Sequence, residues 1–80
     1  MPEKTRKIPD GIHKDYRRVC KAARDQGFLF GKLGKKGHPV VWPPDPRRRP
    51  IPIPTTPGSQ GLLAGWIQQL KRAGLQWPPP

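Results

Sequence analysis

Apolar residues at Ile12, Tyr16, Val19, Cys20 and Ala23 follow one another at steps of four, three, one and three. That spacing is the signature of one helical face, and it predicts a helix running from Gly11 to Gln26. Lys14, Arg17, Arg18, Lys21 and Arg24 fall on the opposite, solvent-facing side. Asp10 offers a side-chain oxygen as N-cap, and Gly27 is a natural stop. His13 lies in the first turn, where an exposed, structural role is expected. A second helical pattern comes near the C-terminus. Leu62, Leu63, Trp66, Ile67, Leu70 and Ala73 make one broad apolar face. Ser59 is the candidate cap, Gly74 the stop, and Gly61 and Gly65 are expected to allow close approach to a sheet. Leu75 is placed to fold back onto the core.

Between the two helices the period changes to two. Phe28-Leu29-Phe30 is a short aromatic-rich run suited to a strand. Gly31 to Gly37 is expected to turn the chain. His38, Val40 and Trp42 alternate with Pro39 and Val41, which predicts a second strand. Pro43-Pro44-Asp45-Pro46 ends it, and Arg47, Arg48 and Arg49 follow in an exposed loop. In Pro50-Ile51-Pro52-Ile53-Pro54 the prolines all present one strand edge, which has no N–H to donate. Ile51 and Ile53 present the other edge, so the segment is an edge strand and never a central one.

The order is therefore α-β-β-β-α. It predicts an α+β fold, with a three-stranded antiparallel sheet carrying two helices on one face. The expected core is Ile12, Tyr16, Val19, Cys20, Ala23, Phe28, Ile51, Ile53, Leu63, Trp66, Ile67 and Leu70. The domain is expected over residues 10–76, after a flexible basic arm at 1–9 and before a proline-rich tail at 77–80.

Eighty residues with thirteen prolines and nine glycines make one small, loop-rich domain with a thin core. The formal charge of +11 changes the picture most, because it selects polyanionic partners. Cys20 is the sole cysteine, so no internal disulfide forms and a cysteine-rich zinc site is excluded. No metal or cofactor is expected. No apolar run approaches the ~18 residues of a membrane span, so no membrane association is expected. A cytoplasmic location is.

The candidate chemistry centres on Gly34-Lys35-Lys36-Gly37-His38. A tight cationic turn delivers a histidine to the start of a strand. Imidazole titrates near pH 6.5, so such a residue exchanges protons under neutral conditions. The bland alternative is a strand-edge residue in an ordinary hairpin.

The segment from Ala23 to Leu75 resembles the HicA family of mRNA interferase toxins. The resemblance rests on four features in order. They are the Gly27-Phe28 step after a helix, Lys36-Gly37-His38 closing a basic turn, Ile53-Pro54-Thr55-Thr56-Pro57, and the terminal Leu70-Lys71-Arg72-Ala73-Gly74-Leu75. Where many family members place Gly-Ser or Gly-Gly before the histidine, this chain has Lys36-Gly37. The resemblance implies the fold of double-stranded-RNA-binding domains and a bacterial or phage-encoded toxin. It also implies metal-independent endoribonuclease activity at His38, and an acidic antitoxin-type protein as a further partner. Lys32, Lys35, Lys36, Arg47, Arg48 and Arg49 are the candidate RNA-phosphate ligands, because cations stabilise the charge that develops on a transferring phosphoryl group. The second reading is a non-catalytic basic module binding RNA, DNA or an acidic protein. Charge runs alone are compatible with either.

Overall fold

The computed structural model describes residues 4–55 and 60–80. Its elements are α1 (Lys14–Asp25), β1 (Leu29–Leu33), β2 (His38–Trp42), β3 (Ile51–Pro52) and α2 (Gln60–Arg72). The strands form one antiparallel sheet in the order β1-β2-β3. The α+β, α-β-β-β-α fold expected from the hydrophobic pattern is the fold observed.

Helix α1 starts later than Asp10. His13 is the N-cap: its carbonyl accepts Arg17 N–H at 2.9 Å and its Nδ1 accepts Asp15 N–H at 3.2 Å. Gly11, at φ 82°, redirects the chain ahead of the helix, and Ile12 enters the core from outside it. The Asp15 carboxylate also lies 3.6 Å from Nδ1. The Nδ1 contact with Asp15 N–H is the capping bond of the helix.

The two helices end alike. Gly27 N–H and Phe28 N–H donate to Arg24 O and Ala23 O at 3.1 and 3.0 Å; Gly74 N–H and Leu75 N–H donate to Lys71 O and Leu70 O at the same distances. Both glycines have positive φ, 96° and 111°. This is the Schellman arrangement, and in each case the residue after glycine drops into the core with its helical partner. The Gly-aromatic and Ala-Gly-Leu steps are thus two copies of one device.

β1 is longer than its aromatic run suggested. Gly31, Lys32 and Leu33 belong to the strand, opposite Val40, Pro39 and His38, and the turn is only residues 34–37. Gly31 is buried in the sheet, paired with Val40, and continues the strand. Gly34 and Gly37 take positive φ (78° and 67°), and Gly37 N–H closes on Gly34 O at 3.1 Å.

β3 lies at the sheet edge as expected. Val41 faces Ile51 and Val40 faces Pro52, and Ile53 N–H donates to Pro39 O at 3.0 Å. Ile53 is fully buried, whereas Ile51 is only half-buried.

The core gathers Tyr16, Val19, Cys20 and Ala23 of α1, Phe28, Phe30, Val41 and Ile53 from the sheet side, and Trp66 and Leu70 of α2. Leu63 and Ile67 sit at its margin. Leu62, expected on the apolar face, is instead exposed, because the buried stripe of α2 is narrower than the run of apolar residues. Gly65 meets nothing within 4 Å, so it serves no close approach to the sheet. The Ser59 cap and the Thr56-Pro57 part of the proline-containing stretch lie outside the described residues.

Among the described residues, segments near both ends are tied down. Thr5 exchanges two 2.7 Å backbone hydrogen bonds with Phe30, adding a bridge to the outer edge of β1, and Ile8 is buried in the core. The arm expected to be free is therefore held from Thr5 to Ile8, because the outer edge of β1 offers open backbone groups to pair. Trp77 packs against the core margin, and Gln26 and Gln76 exchange reciprocal hydrogen bonds of 3.0 and 2.8 Å between the two helix ends.

Candidate nucleic-acid interface

The residues singled out from sequence form two groups, and the meander topology holds them apart. The turn that joins β1 to β2 lies at one end of the sheet. The connection from β2 to β3 lies at the other. His38 opens β2 and Trp42 closes it, so the two ends are separated by four residue steps, or ~13 Å of strand.

At the turn end stand Lys32, Lys35, Lys36 and His38, all exposed. Lys32 comes close to the turn: its Cδ lies 3.4 Å from where a Cβ on Gly37 would sit. A Cβ at residue 37 would meet Lys32 only in ordinary van der Waals contact, but any side chain there would strain a φ of 67°. By strand alternation His38 shares a face with Val40 and Trp42, while Val41 points into the helix-covered core. His38 thus lies on the helix-free face, and its imidazole makes no hydrogen bond or ion pair among the described residues. On the same face Lys4 Nζ stands 4.6 Å from the centroid of the Trp42 ring, a cation–π contact that anchors the N-terminal segment.

At the loop end stand Arg47, Arg48 and Arg49, all exposed. Arg47 is engaged. Asp45 Oδ1 accepts its backbone N–H at 2.9 Å and its Nε–H at 3.3 Å. The backbone hydrogen bond, followed by the Arg47 side chain and the Arg48 charge, holds the Asp45 carboxyl below its usual range. Arg48 and Arg49 instead flank a surface pocket of about 310 Å³ that also draws in Gln69 and Arg72 of α2. Arg72 was not among the candidates, since in sequence it reads only as a helix C-terminal cation. Its position beside the arginine loop is set by the packing of α2 across the sheet.

His13 belongs to neither group: it is committed to the α1 cap. Cys20 is fully buried, and burial pushes its thiol up to about 12, so it supplies neither nucleophile nor metal ligand at neutral pH. No group of three or more His, Cys, Asp or Glu side chains placed to hold a metal occurs among the described residues. No helix among them is long and apolar enough to cross a membrane.

No family model matches the chain, and no match was found among curated proteins or solved structures.

Proposed function

We propose that the protein binds RNA through its basic surface and cleaves it at the turn end of the sheet, as a HicA-like, metal-independent endoribonuclease. The observation that carries this reading is His38, exposed where the Gly34–Gly37 turn becomes β2 and flanked by Lys35 and Lys36. The α-β-β-β-α order, with a histidine in that position, is also what the family resemblance implies.

In such a reaction the ribose 2′-oxygen attacks the adjacent phosphorus, the bond to the 5′-oxygen breaks, and a 2′,3′-cyclic phosphate and a 5′-hydroxyl result. One proton leaves the 2′-hydroxyl and one reaches the departing 5′-oxygen. His38 serves one of these transfers and water the other, a role worth roughly 10²–10⁴-fold in rate. Lys35 and Lys36 hold the phosphate oxygens as charge accumulates, with Lys32, which pairs with Pro39 on the other face of the sheet, adding charge at the same end. An acidic antitoxin-type protein would compete for the same cations.

A second reading, an RNA-binding module without chemistry, is favoured by one observation. No titratable partner lies within hydrogen-bond reach of the His38 imidazole among the described residues, so any second proton carrier must come from solvent or from the RNA.

The test is cleavage of an end-labelled RNA by purified protein in EDTA, comparing wild type with His38→Ala and His38→Gln. Glutamine keeps hydrogen-bonding capacity but carries no titrating proton. Both variants should bind RNA normally and lose roughly 10²-fold or more of the cleavage rate. Equal cleavage by all three proteins would remove His38 from the chemistry. Binding without cleavage by wild type would leave the non-catalytic module.

A further inference from the structure

The pocket at the loop end is assembled from two elements that are distant in sequence. Arg48 and Arg49 come from the β2–β3 connection, and Gln69 and Arg72 from the last turn of α2. Three arginines therefore line one concave surface together with Gln69, Pro43, Ile51 and Ala73, and no carboxylate among the described residues lines it.

The chain has no acidic residue after Asp45. Asp45 is held by the backbone and side chain of Arg47. The carbonyls at the end of α2, which would otherwise present a partial negative charge to Arg72, receive the Gly74 and Leu75 N–H groups. What remains is a concave surface of three arginines and one amide beside Pro43, Ile51 and Ala73, whose charge and donor-only guanidinium groups suit a phosphate.

We infer that this pocket is a phosphate-binding site that takes a backbone phosphate of RNA. It lies at the opposite end of β2 from His38. It also lies on the helix-covered side of the sheet, where Ile51 and α2 contribute its walls. A strand engaged at both places must pass around the sheet edge. The pocket therefore sets the register and affinity of the RNA and takes no part in bond breaking. RNA is favoured over an acidic protein because guanidinium forks recognise phosphate bidentately, and because the turn end offers further phosphate ligands to the same strand. The inference rests on the RNA-binding reading and is independent of whether His38 cleaves.

The experiment is a titration of isotope-labelled His38→Ala protein with a short single-stranded RNA, with inorganic phosphate and with a poly-glutamate peptide. The readouts are the Arg Nε–H and Gln69 side-chain amide signals. RNA affinity is then measured across salt for Arg72→Gln, Arg49→Gln and, as a control at the same helix end, Lys71→Gln. Saturable shifts of Arg48, Arg49, Arg72 and Gln69 with RNA, reproduced by phosphate at higher concentration, are expected. Arg72→Gln and Arg49→Gln should each lower the salt slope of log K by ~1, with Lys71→Gln near wild type. Circular dichroism confirms that each variant is folded. RNA binding that leaves these signals and slopes unchanged would overturn the pocket and spare the RNA reading. Failure to bind RNA at any salt would overturn both. Shifts with poly-glutamate but not with RNA or phosphate would overturn the inference in favour of an acidic protein partner.

Discussion

The indole Nε1 of Trp66 donates a 3.0 Å hydrogen bond to the carbonyl oxygen of Pro52. Pro52 sits in β3 opposite Val40, at a position whose backbone groups face away from β2. The outer edge of β3 lacks N–H donors because its edge positions are prolines, and one of its free acceptors is taken by α2. The same indole meets the Tyr16 ring of α1 edge-on, with centroids 5.2 Å apart and planes at 72°. Trp66 therefore links α2 to the sheet edge through a polar contact and to α1 through an aromatic one.

Trp66→Ala should destabilise the fold by roughly 3–5 kcal/mol, and Trp66→Phe by a smaller amount that includes ~1 kcal/mol for the lost hydrogen bond. Chemical denaturation checks both. A loss below ~1 kcal/mol for the alanine variant would contradict the central position of the indole.

Gly65 is helical, exposed and has nothing within 4 Å of the place a Cβ would occupy. Gly65→Ala should therefore stabilise the protein by roughly 0.5–1 kcal/mol, through helix propensity and reduced freedom of the unfolded chain. A thermal melt that moves downward would show a contact not visible in this geometry.

Gln26 joins the two Schellman ends by donating to Gln76 O and accepting Gln76 N–H. Gln26→Ala removes both bonds at an exposed site, where water substitutes. A cost of about 0.5–1.5 kcal/mol is expected, with amide exchange at Gln76 accelerated more than in the core. Unchanged exchange at Gln76 would sink the link.

Burial is the main cause that raises the Cys20 thiol to about 12, against which the nearby Arg17 charge works. A thiol whose folded pKa is raised contributes stability that is complete below its unfolded value. That contribution is lost as pH rises from about 9 towards 12. Alkaline denaturation should begin in that window. At pH 8 a thiol reagent should modify Cys20 only at the rate at which the protein opens. Rapid, stoichiometric modification of folded protein would contradict the burial.

Much of the fold was legible because it depends on local chemistry. The 3.6-residue spacing around Tyr16, Val19 and Cys20 marks a helix wherever it occurs, and the alternating prolines of 50–54 forbid a central strand in any fold. Glycines after Gln26 and Ala73 announce helix ends because a left-handed residue is needed there. What was missed depends on partners remote in sequence. Ile8 becomes core only because Thr5 finds the open edge of β1. His13 becomes a cap because Gly11 turns the chain before the helix begins.

The candidate site divides along the same line. Sequence alone determined the charge, the exposed basic turn and the arrival of His38 at the start of a strand, since each follows from residue type and short-range pattern. The lysines and the arginines stand at opposite ends of β2 because an antiparallel meander, already implied by the sequence, sends successive connections to opposite ends of the sheet; the rest fell to tertiary structure. It alone brought Arg72 to Arg48 and Arg49. That meeting requires α2 to lie across the sheet with Trp66 and Leu70 buried, a condition of the packed core that no local pattern encodes.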